Sequence, residues 1–329
     1  MCVSLHPAHF SDTVVGVFED STGRRYMAYQ NTAANLVVSK ARPYAHVTRS
    51  SEHLTRSASP LTRGEGSQWS FESAKVPEPL PDTPATLTGN AMILPIPDSV
   101  DSIEVLDTTS CPTFLKDVRD ALTPRTRGGM RSFGGAKSFS VRIIDFDIYT
   151  IVIAADAAAM AEVLASKAIS DERRPAINEA MIKAYTEWYP GWAIAVCCFN
   201  NSDLQEGKPL LFSYLPTKQE DPDLFFIPTL DSHDGQVPSL KAKVDVDHTI
   251  FVATNDMQPN LGQHVFYSDR AIEPAIEQRL PKRIAGRQLH GQMPNGDLVF
   301  RRSDLAAGNF RGLRALPPGA TEQVERFFI

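Results

Sequence analysis

The segment TVVGVF at residues 13–18 is followed by EDSTG at 19–23 and by RRYMAYQ at 24–30. β-Branched and aromatic residues favour strands, whereas Asp, Ser and Gly favour turns. The second run has the alternating character of a strand that is buried on one face. Residues 13–30 therefore predict a β-hairpin, and the rest of the fold can be predicted outward from it.

The remaining pattern predicts a mixed α+β fold with antiparallel-rich sheets and flanking helices. Helices are predicted over 112–122 and from Asp156 and Asp171 onward, and the prolines in the strand at 91–97 predict an edge strand. Hairpin-like connections favour antiparallel pairing. Two layouts would accommodate these elements. One is two stacked sheets with helices outside, which is a four-layer αββα arrangement, and the other is a single sheet with helices on one face. Four further apolar strands are predicted at 192–199, 209–215, 223–227 and 248–254.

The chain is predicted to contain one α+β domain, formed by residues 1–38 and 89–270. Residues 39–88 are rich in Ser, Pro and Arg, which predicts a mobile insertion or linker. Residues 271–329 are predicted to form a basic C-terminal appendage, which could bind a partner. Its cations are Lys282, Arg283, Arg287, Arg301, Arg302, Arg311 and Arg314.

Composition excludes several functional classes. The 329 residues are 42% hydrophobic and carry a formal net charge of −6, which argues against nucleic acid as a partner. No apolar run reaches the length of about 18 residues that a membrane helix needs. The first twenty residues lack the regions of a secretory signal, and four cysteines without a CxxC pair fit a reducing compartment, so a cytoplasmic location is expected. Oligomeric state does not follow from these features.

Cys2 offers the clearest chemistry in the chain. Removal of Met1 would place its thiol beside a free α-amine, whose reference pKa of about 8 lets it accept the thiol proton. Such a residue is a nucleophile that carries its own base. The returning strand of the hairpin would bring Gln30 and Asn31 towards this end of the chain.

The order of Cys2, hairpin and polar residues on the returning strand resembles the N-terminal-nucleophile hydrolases. Within that group it is most similar to cysteine amidohydrolases such as bile-salt and penicillin V acylases and the glutamine amidotransferases, which usually carry Arg or Asp at the end of the returning strand. The resemblance implies that Cys2 attacks the C–N bond of a small-molecule amide without a cofactor. It implies that Asn31 or Asn90 stabilises the oxyanion and that Tyr29 and Gln30 contact the substrate.

A second constellation is TLDSHDG at 229–235, followed by DVDH at 245–248. A His–Asp pair suits general-base chemistry, so His233 and Asp234 are predicted to shape the catalytic pocket. The alternative is a hydrolase that binds a divalent metal through His233, Asp234, Asp247 and His248, although their spacing matches no established metal motif. A third hypothesis is a non-catalytic interaction protein whose residues 39–88 and basic tail bind a partner. The amidohydrolase is the preferred hypothesis at this stage.

Overall fold

The computed structural model of the chain describes residues 3–35, 89–123, 142–165, 167–200, 205–219, 221–321 and 327–328. The fold is α+β, with 15% helix and 40% strand, so the predicted fold class is confirmed. The predicted insertion at 39–88 lies outside the described residues.

The first half of the chain contains β1 (Val3–Ser4), β2 (Ala8–Glu19), β3 (Arg25–Asn35), β4 (Gly89–Ile96), β5 (Glu104–Val105), α1 (Phe114–Leu122), β6 (Arg142–Phe146), β7 (Tyr149–Ala154) and α2 (Ala157–Leu164). It continues with α3 (Glu179–Trp188), β8 (Ala193–Asn200), β9 (Gln205–Glu206), β10 (Leu210–Tyr214), β11 (Leu224–Ile227), β12 (Lys243–Ala253) and β13 (Gln263–His264). The last elements are α4 (Pro274–Glu277), β14 (Arg283–Pro294), β15 (Asp297–Arg301), α5 (Arg302–Ala306), β16 (Gly312–Ala315) and β17 (Phe327–Phe328).

The predicted hairpin forms the centre of an eight-stranded sheet, as β2 and β3. The order of this sheet is β13-β14-β12-β2-β3-β10-β5, with β9 also paired to β3. Most pairs are antiparallel, but β12 runs parallel to β2 and places Phe251 opposite Gly16. A Cβ atom on Gly16 would lie 2.4 Å from the carbonyl oxygen of Phe251, so this approach of the strands requires glycine.

A five-stranded antiparallel sheet has the order β1-β4-β8-β7-β6. The prediction that residues 91–97 form an edge strand is wrong, because β4 lies between β1 and β8. Among the described residues, β1 pairs with β4 at Met92 and Ile93.

Three apolar clusters stack the two sheets and the helices into layers. One cluster lies between the sheets and includes Tyr29 from the eight-stranded sheet and Met92 from the five-stranded sheet. A second packs α2 and α3 on the outer face of the five-stranded sheet. A third packs α1 and α4 on the outer face of the eight-stranded sheet. The order of layers is therefore helix, sheet, sheet, helix.

Residues 271–329, predicted as an appendage, contribute strands to two sheets. β14 pairs with β12 from Pro294 opposite Lys243 to Ala285 opposite Val252. β15 and β16 join β11 and β17 in a four-stranded sheet of order β11-β15-β16-β17. In the part of the chain that the structure describes, no helix has the length and apolar character needed to cross a membrane.

Candidate functional site at the amino-terminal strand

β1 and the residues that follow it lie between β4 and the loop that spans residues 229–236. The backbone N–H of Ser4 donates to the carbonyl oxygen of Ser232 at 3.0 Å. The N–H of Ala8 donates to the carbonyl oxygen of His233 at 2.9 Å. The fold therefore brings the predicted residues around His233 next to the amino-terminal strand. Cys2 itself lies outside the described residues.

Asn90 clamps the backbone of His6 from the first residues of β4. Its Oδ1 accepts the N–H of His6 at 2.9 Å and its Nδ2 donates to the carbonyl oxygen of His6 at 3.0 Å. The side chain is fully buried. The Asn90 amide was predicted to stabilise an oxyanion, but it binds the N–H and the carbonyl oxygen of His6. Backbone groups that are shielded from water need such hydrogen-bond partners.

His233 pairs with a different aspartate from the predicted one. Its Nε2 lies 2.8 Å from Oδ1 of Asp231, and its ring packs edge-on against Phe10 with the centroids 5.2 Å apart. The imidazole is 29% exposed, whereas the Asp231 side chain is 5% exposed. A buried carboxylate next to an accessible imidazole fixes the orientation of the ring.

Asp234 closes the turn after His233. Its Oδ1 accepts the hydroxyl of Ser232 at 2.7 Å and the backbone N–H of Gln236 at 2.9 Å. Gly235 has φ +77°, and a Cβ atom there would lie 3.0 Å from Cα of His6. The turn is thereby fitted against the amino-terminal segment, which is a structural use of the aspartate.

Asn295 holds the backbone of Asp231 through two hydrogen bonds. Its Oδ1 accepts the N–H of Asp231 at 2.9 Å, and its Nδ2 donates to the carbonyl oxygen of the same residue at 2.8 Å. Asn295 lies in the turn between β14 and β15. Neither Asp231 nor Asn295 was predicted as a site residue, because pairing between distant segments leaves no local pattern.

A buried carboxylate holds the start of the same loop. Asp297 accepts the backbone N–H of Thr229 at 2.9 Å and of Leu230 at 3.1 Å through Oδ1, and the hydroxyl of Tyr189 at 2.6 Å through Oδ2. Burial raises the pKa of Asp297 to about 6. Arg314 donates to the hydroxyl of Thr229 at 2.8 Å, and burial lowers the pKa of its guanidinium to about 10.

The predicted residues of the returning strand are buried in β3. Nδ2 of Asn31 donates to the hydroxyl of Tyr29 at 3.0 Å, and its Oδ1 accepts the hydroxyl of Tyr149 at 3.1 Å. Gln30 donates to the carbonyl oxygen of Gly207 at 2.9 Å. These side chains therefore join strands within the core.

The alternative metal ligands do not come together. Asp247 lies 2.9 Å from Nδ1 of the exposed His290, and His248 is buried with its Nδ1 accepting the N–H of Asp247. Within the described ranges no group of three or more His, Cys, Asp or Glu side chains could hold a metal ion. The set of His233, Asp234, Asp247 and His248 is therefore not assembled into a metal centre, because each side chain has a separate structural role.

No family model and no curated protein matches the chain. Solved structures of baculovirus P35 are similar to it. A crystal structure of P35 is 12% identical with a TM-score of 0.38, and the match covers 92% of each chain. A mutated P35 after caspase cleavage is 9% identical with a TM-score of 0.33, covering 89% of this chain and 91% of P35. The caspase-8/P35 complex is 8% identical with a TM-score of 0.31, covering 90% of this chain and 89% of the other.

These findings overturn the predicted hydrolase and its predicted substrate. The similar structures are of P35 rather than of an N-terminal-nucleophile amidohydrolase. One of them is a complex between two proteins, which contradicts the prediction of a small-molecule amide as the partner. The chain's own geometry agrees, since Asn31, Asn90 and Asp234 are engaged in hydrogen bonds within the fold.

Proposed function

We propose that this chain is a non-catalytic interaction protein that binds a protein partner through the edge of its eight-stranded sheet at β13. The observation that carries the proposal is the side chain of Phe266, which is 71% exposed and lies next to His264 with the ring centroids 6.4 Å apart. We call Gln263, His264, Phe266, Lys282 and Arg283 the β13 edge surface. An aromatic residue held at an exposed edge is a common anchor for binding.

In the part of the chain that the structure describes, β13 forms one edge of the sheet. β13 is the first strand of the sheet and pairs, within the described part of the chain, with β14. Gln263 and His264 are both exposed. Edge strands present N–H and C=O groups to which an extended peptide can add.

The charge of this surface is available to a partner. Arg283 donates from Nη1 to the carbonyl oxygen of Pro259 at 2.6 Å, and its Nη2 lies 2.7 Å from Nε2 of His264. Among the described residues, neither Lys282 nor Arg283 forms an ion pair with a carboxylate. Arginine pairs strongly with carboxylates, so this position favours an acidic partner.

Three other cations of the predicted basic tail are held within the fold. Arg301 lies 3.0 Å from Asp221, and Arg302 lies 2.9 Å from Asp256. Arg314 is buried. These three side chains are therefore engaged within the fold, whereas Lys282 and Arg283 belong to the β13 edge surface.

We infer that the occupant is an extended acidic segment that carries an apolar side chain. The backbone of the segment would add to β13, its carboxylates would pair with Lys282 and Arg283, and its apolar side chain would cover Phe266.

Selection from a display library of random peptides tests the proposal. We expect the enriched peptides to contain Asp or Glu together with an aliphatic residue. Fluorescence anisotropy of a selected peptide should show at least about tenfold weaker binding to Phe266→Ala and to Arg283→Glu, the loss expected when an interface anchor is removed. Arg301→Glu carries the same change of charge at a distant position and should bind like the wild type.

Two results would contradict the proposal. One is a selection without acidic enrichment, or equal binding by all three variants. The other concerns residues 39–88, whose sequence also predicts a binding segment. If replacing residues 40–88 by a short Gly/Ser linker abolishes peptide binding while thermal unfolding is unchanged, the site lies in that segment and not at β13.

A further inference from the structure

His6 makes a hydrogen bond that only its neutral form can make. The backbone N–H of Ala176 donates to Nε2 of His6 at 3.0 Å. A ring nitrogen that accepts a hydrogen bond carries no proton, so the proton of the neutral imidazole lies on Nδ1. The amino-terminal segment is thus joined to the residues that lead into α3.

We propose that His6 is a pH-dependent latch that holds the amino-terminal segment against the chain before α3 and releases it when the imidazole is protonated. Protonation would place an N–H at Nε2 that faces the N–H of Ala176, so a hydrogen bond would be replaced by two opposed donors. Burial lowers the pKa of His6, which agrees with a ring that is held in its neutral form.

The segment held by this latch is short and lies at a sheet edge. β1 contains two residues and is the outer strand of the five-stranded sheet. Beyond β4, it is fixed by hydrogen bonds to the loop at 229–236, including the N–H of Ala8 on the carbonyl oxygen of His233. That loop is tied to the same helix start, because Nδ2 of Asn178 donates to the carbonyl oxygen of Gly235 at 2.7 Å. Loss of the His6 bond therefore weakens the connection between the amino-terminal segment and the chain before α3.

The charged groups in the surrounding elements are engaged elsewhere. In the loop, Asp231 pairs with His233, while Asp234 accepts from Ser232 and Gln236. β4 contributes the neutral amide of Asn90. The chain before α3 carries Arg173, which lies 3.4 Å from Asp145, and Arg174, which pairs with Asp171; Glu179 begins α3. None of these pairs places a carboxylate on Nε2 of His6, where it would favour the charged ring.

The direction of the pH effect follows from this geometry. Since the folded chain binds the His6 proton less readily than the unfolded chain does, the contribution of the latch is complete above the ordinary pKa of 6.5. It is lost as the pH falls below that value. A neutral solution should keep the amino-terminal segment closed, and a mildly acidic one should open it.

Amide hydrogen exchange followed by mass spectrometry tests the latch on the full chain at pH 7.5 and pH 5.5. After correction for intrinsic exchange rates, the wild type should lose protection at residues 3–8 and 174–178 at the lower pH, by up to about tenfold, the limit set by a test pH that lies one unit below the reference pKa of about 6.5. In His6→Gln, a side-chain oxygen can accept the N–H of Ala176 without titrating, so protection should be equal at both pH values. His290→Gln changes an exposed histidine and should behave like the wild type.

Two outcomes would overturn the latch. One is unchanged protection in the wild type at both pH values, or the same loss of protection in His6→Gln. The other comes from imidazole ¹⁵N spectra of the wild type, which need no variant: a proton on Nε2 of His6 at pH 7.5 would exclude the bond on which the proposal rests.

Discussion

Asp297→Ala should be among the most destabilising single substitutions in the chain. It removes the acceptor for the backbone N–H groups of Thr229 and Leu230 and for the hydroxyl of Tyr189, and it removes the nearby negative charge from Arg314. A buried donor left unsatisfied costs about 1–3 kcal/mol, and removal of one partner from a buried charge pair costs about 3–5 kcal/mol. Because the loop can relax, these costs do not add in full. We expect a loss of about 3–5 kcal/mol in the free energy of unfolding, against a total of about 5–15 kcal/mol for a typical protein.

Urea denaturation followed by circular dichroism measures this loss. Asp297→Asn keeps an oxygen for the two backbone donors and should lose less stability than the alanine variant. Asp245→Ala removes an exposed carboxylate from β12 and should unfold at the wild-type urea concentration. If Asp297→Ala is as stable as Asp245→Ala, the buried hydrogen bonds at Asp297 do not support the loop and the argument is wrong.

Three further predictions follow from contacts described above. Since burial raises the pKa of Asp297 from 3.8 to about 6, the folded chain keeps a proton that the unfolded chain releases. The contribution of this carboxyl to stability is therefore complete below about pH 4, and the stability of the wild type relative to Asp297→Asn should fall by up to about 3 kcal/mol as the pH rises to 6, measured by urea denaturation at several pH values. Gly16→Ala should destabilise the chain by about 1–3 kcal/mol or more, because the new methyl group would lie 2.4 Å from the carbonyl oxygen of Phe251; an unchanged melting temperature would show that β2 and β12 can separate without cost. Asn90→Ala should cost about 1–3 kcal/mol by leaving both backbone groups of His6 without their partner, and faster amide exchange at residues 3–8 should accompany the loss.

Local patterns in the sequence predicted much of the fold. The β-branched run and turn at 13–23 became β2 and the connection to β3. Asp156 was predicted to cap a helix, and its side chain accepts the N–H of Ala159 at 2.8 Å at the start of α2. The next helix begins later than predicted, since Asn178 caps it and Ile177 is exposed outside it. Propensity and capping act over a few residues, so elements are predicted better than their limits.

Pairing between distant segments was harder to predict. Nothing in residues 243–253 indicates that β12 would run parallel to β2, or that β4 would receive β1 at its outer side. Prolines at 95 and 97 favoured an edge strand, whereas β4 lies between β1 and β8. Pairing between distant strands depends on which faces of all the strands and helices must be buried together. The sequence of a single segment does not contain that information.

The candidate site was also predicted only in part. The sequence singled out the region around His233, and the fold places it beside the amino-terminal strand. The partner of His233 was predicted as its neighbour Asp234 and is in fact Asp231. His6 and Asn295 were missed because each acts on backbone groups of a remote segment, and their own surroundings in the sequence are ordinary.

The parallel pairing of β12 with β2 has a consequence for synthesis of the chain. The hairpin is complete once residue 35 has been made, but the strand that covers its outer side begins at residue 243. Until then the outer hydrogen-bonding groups of β2 stay open in the growing polypeptide, which is a state prone to association with other chains. Contacts this far apart in sequence also form slowly. Efficient production of the protein should therefore depend on chaperones that shield the hairpin while translation continues.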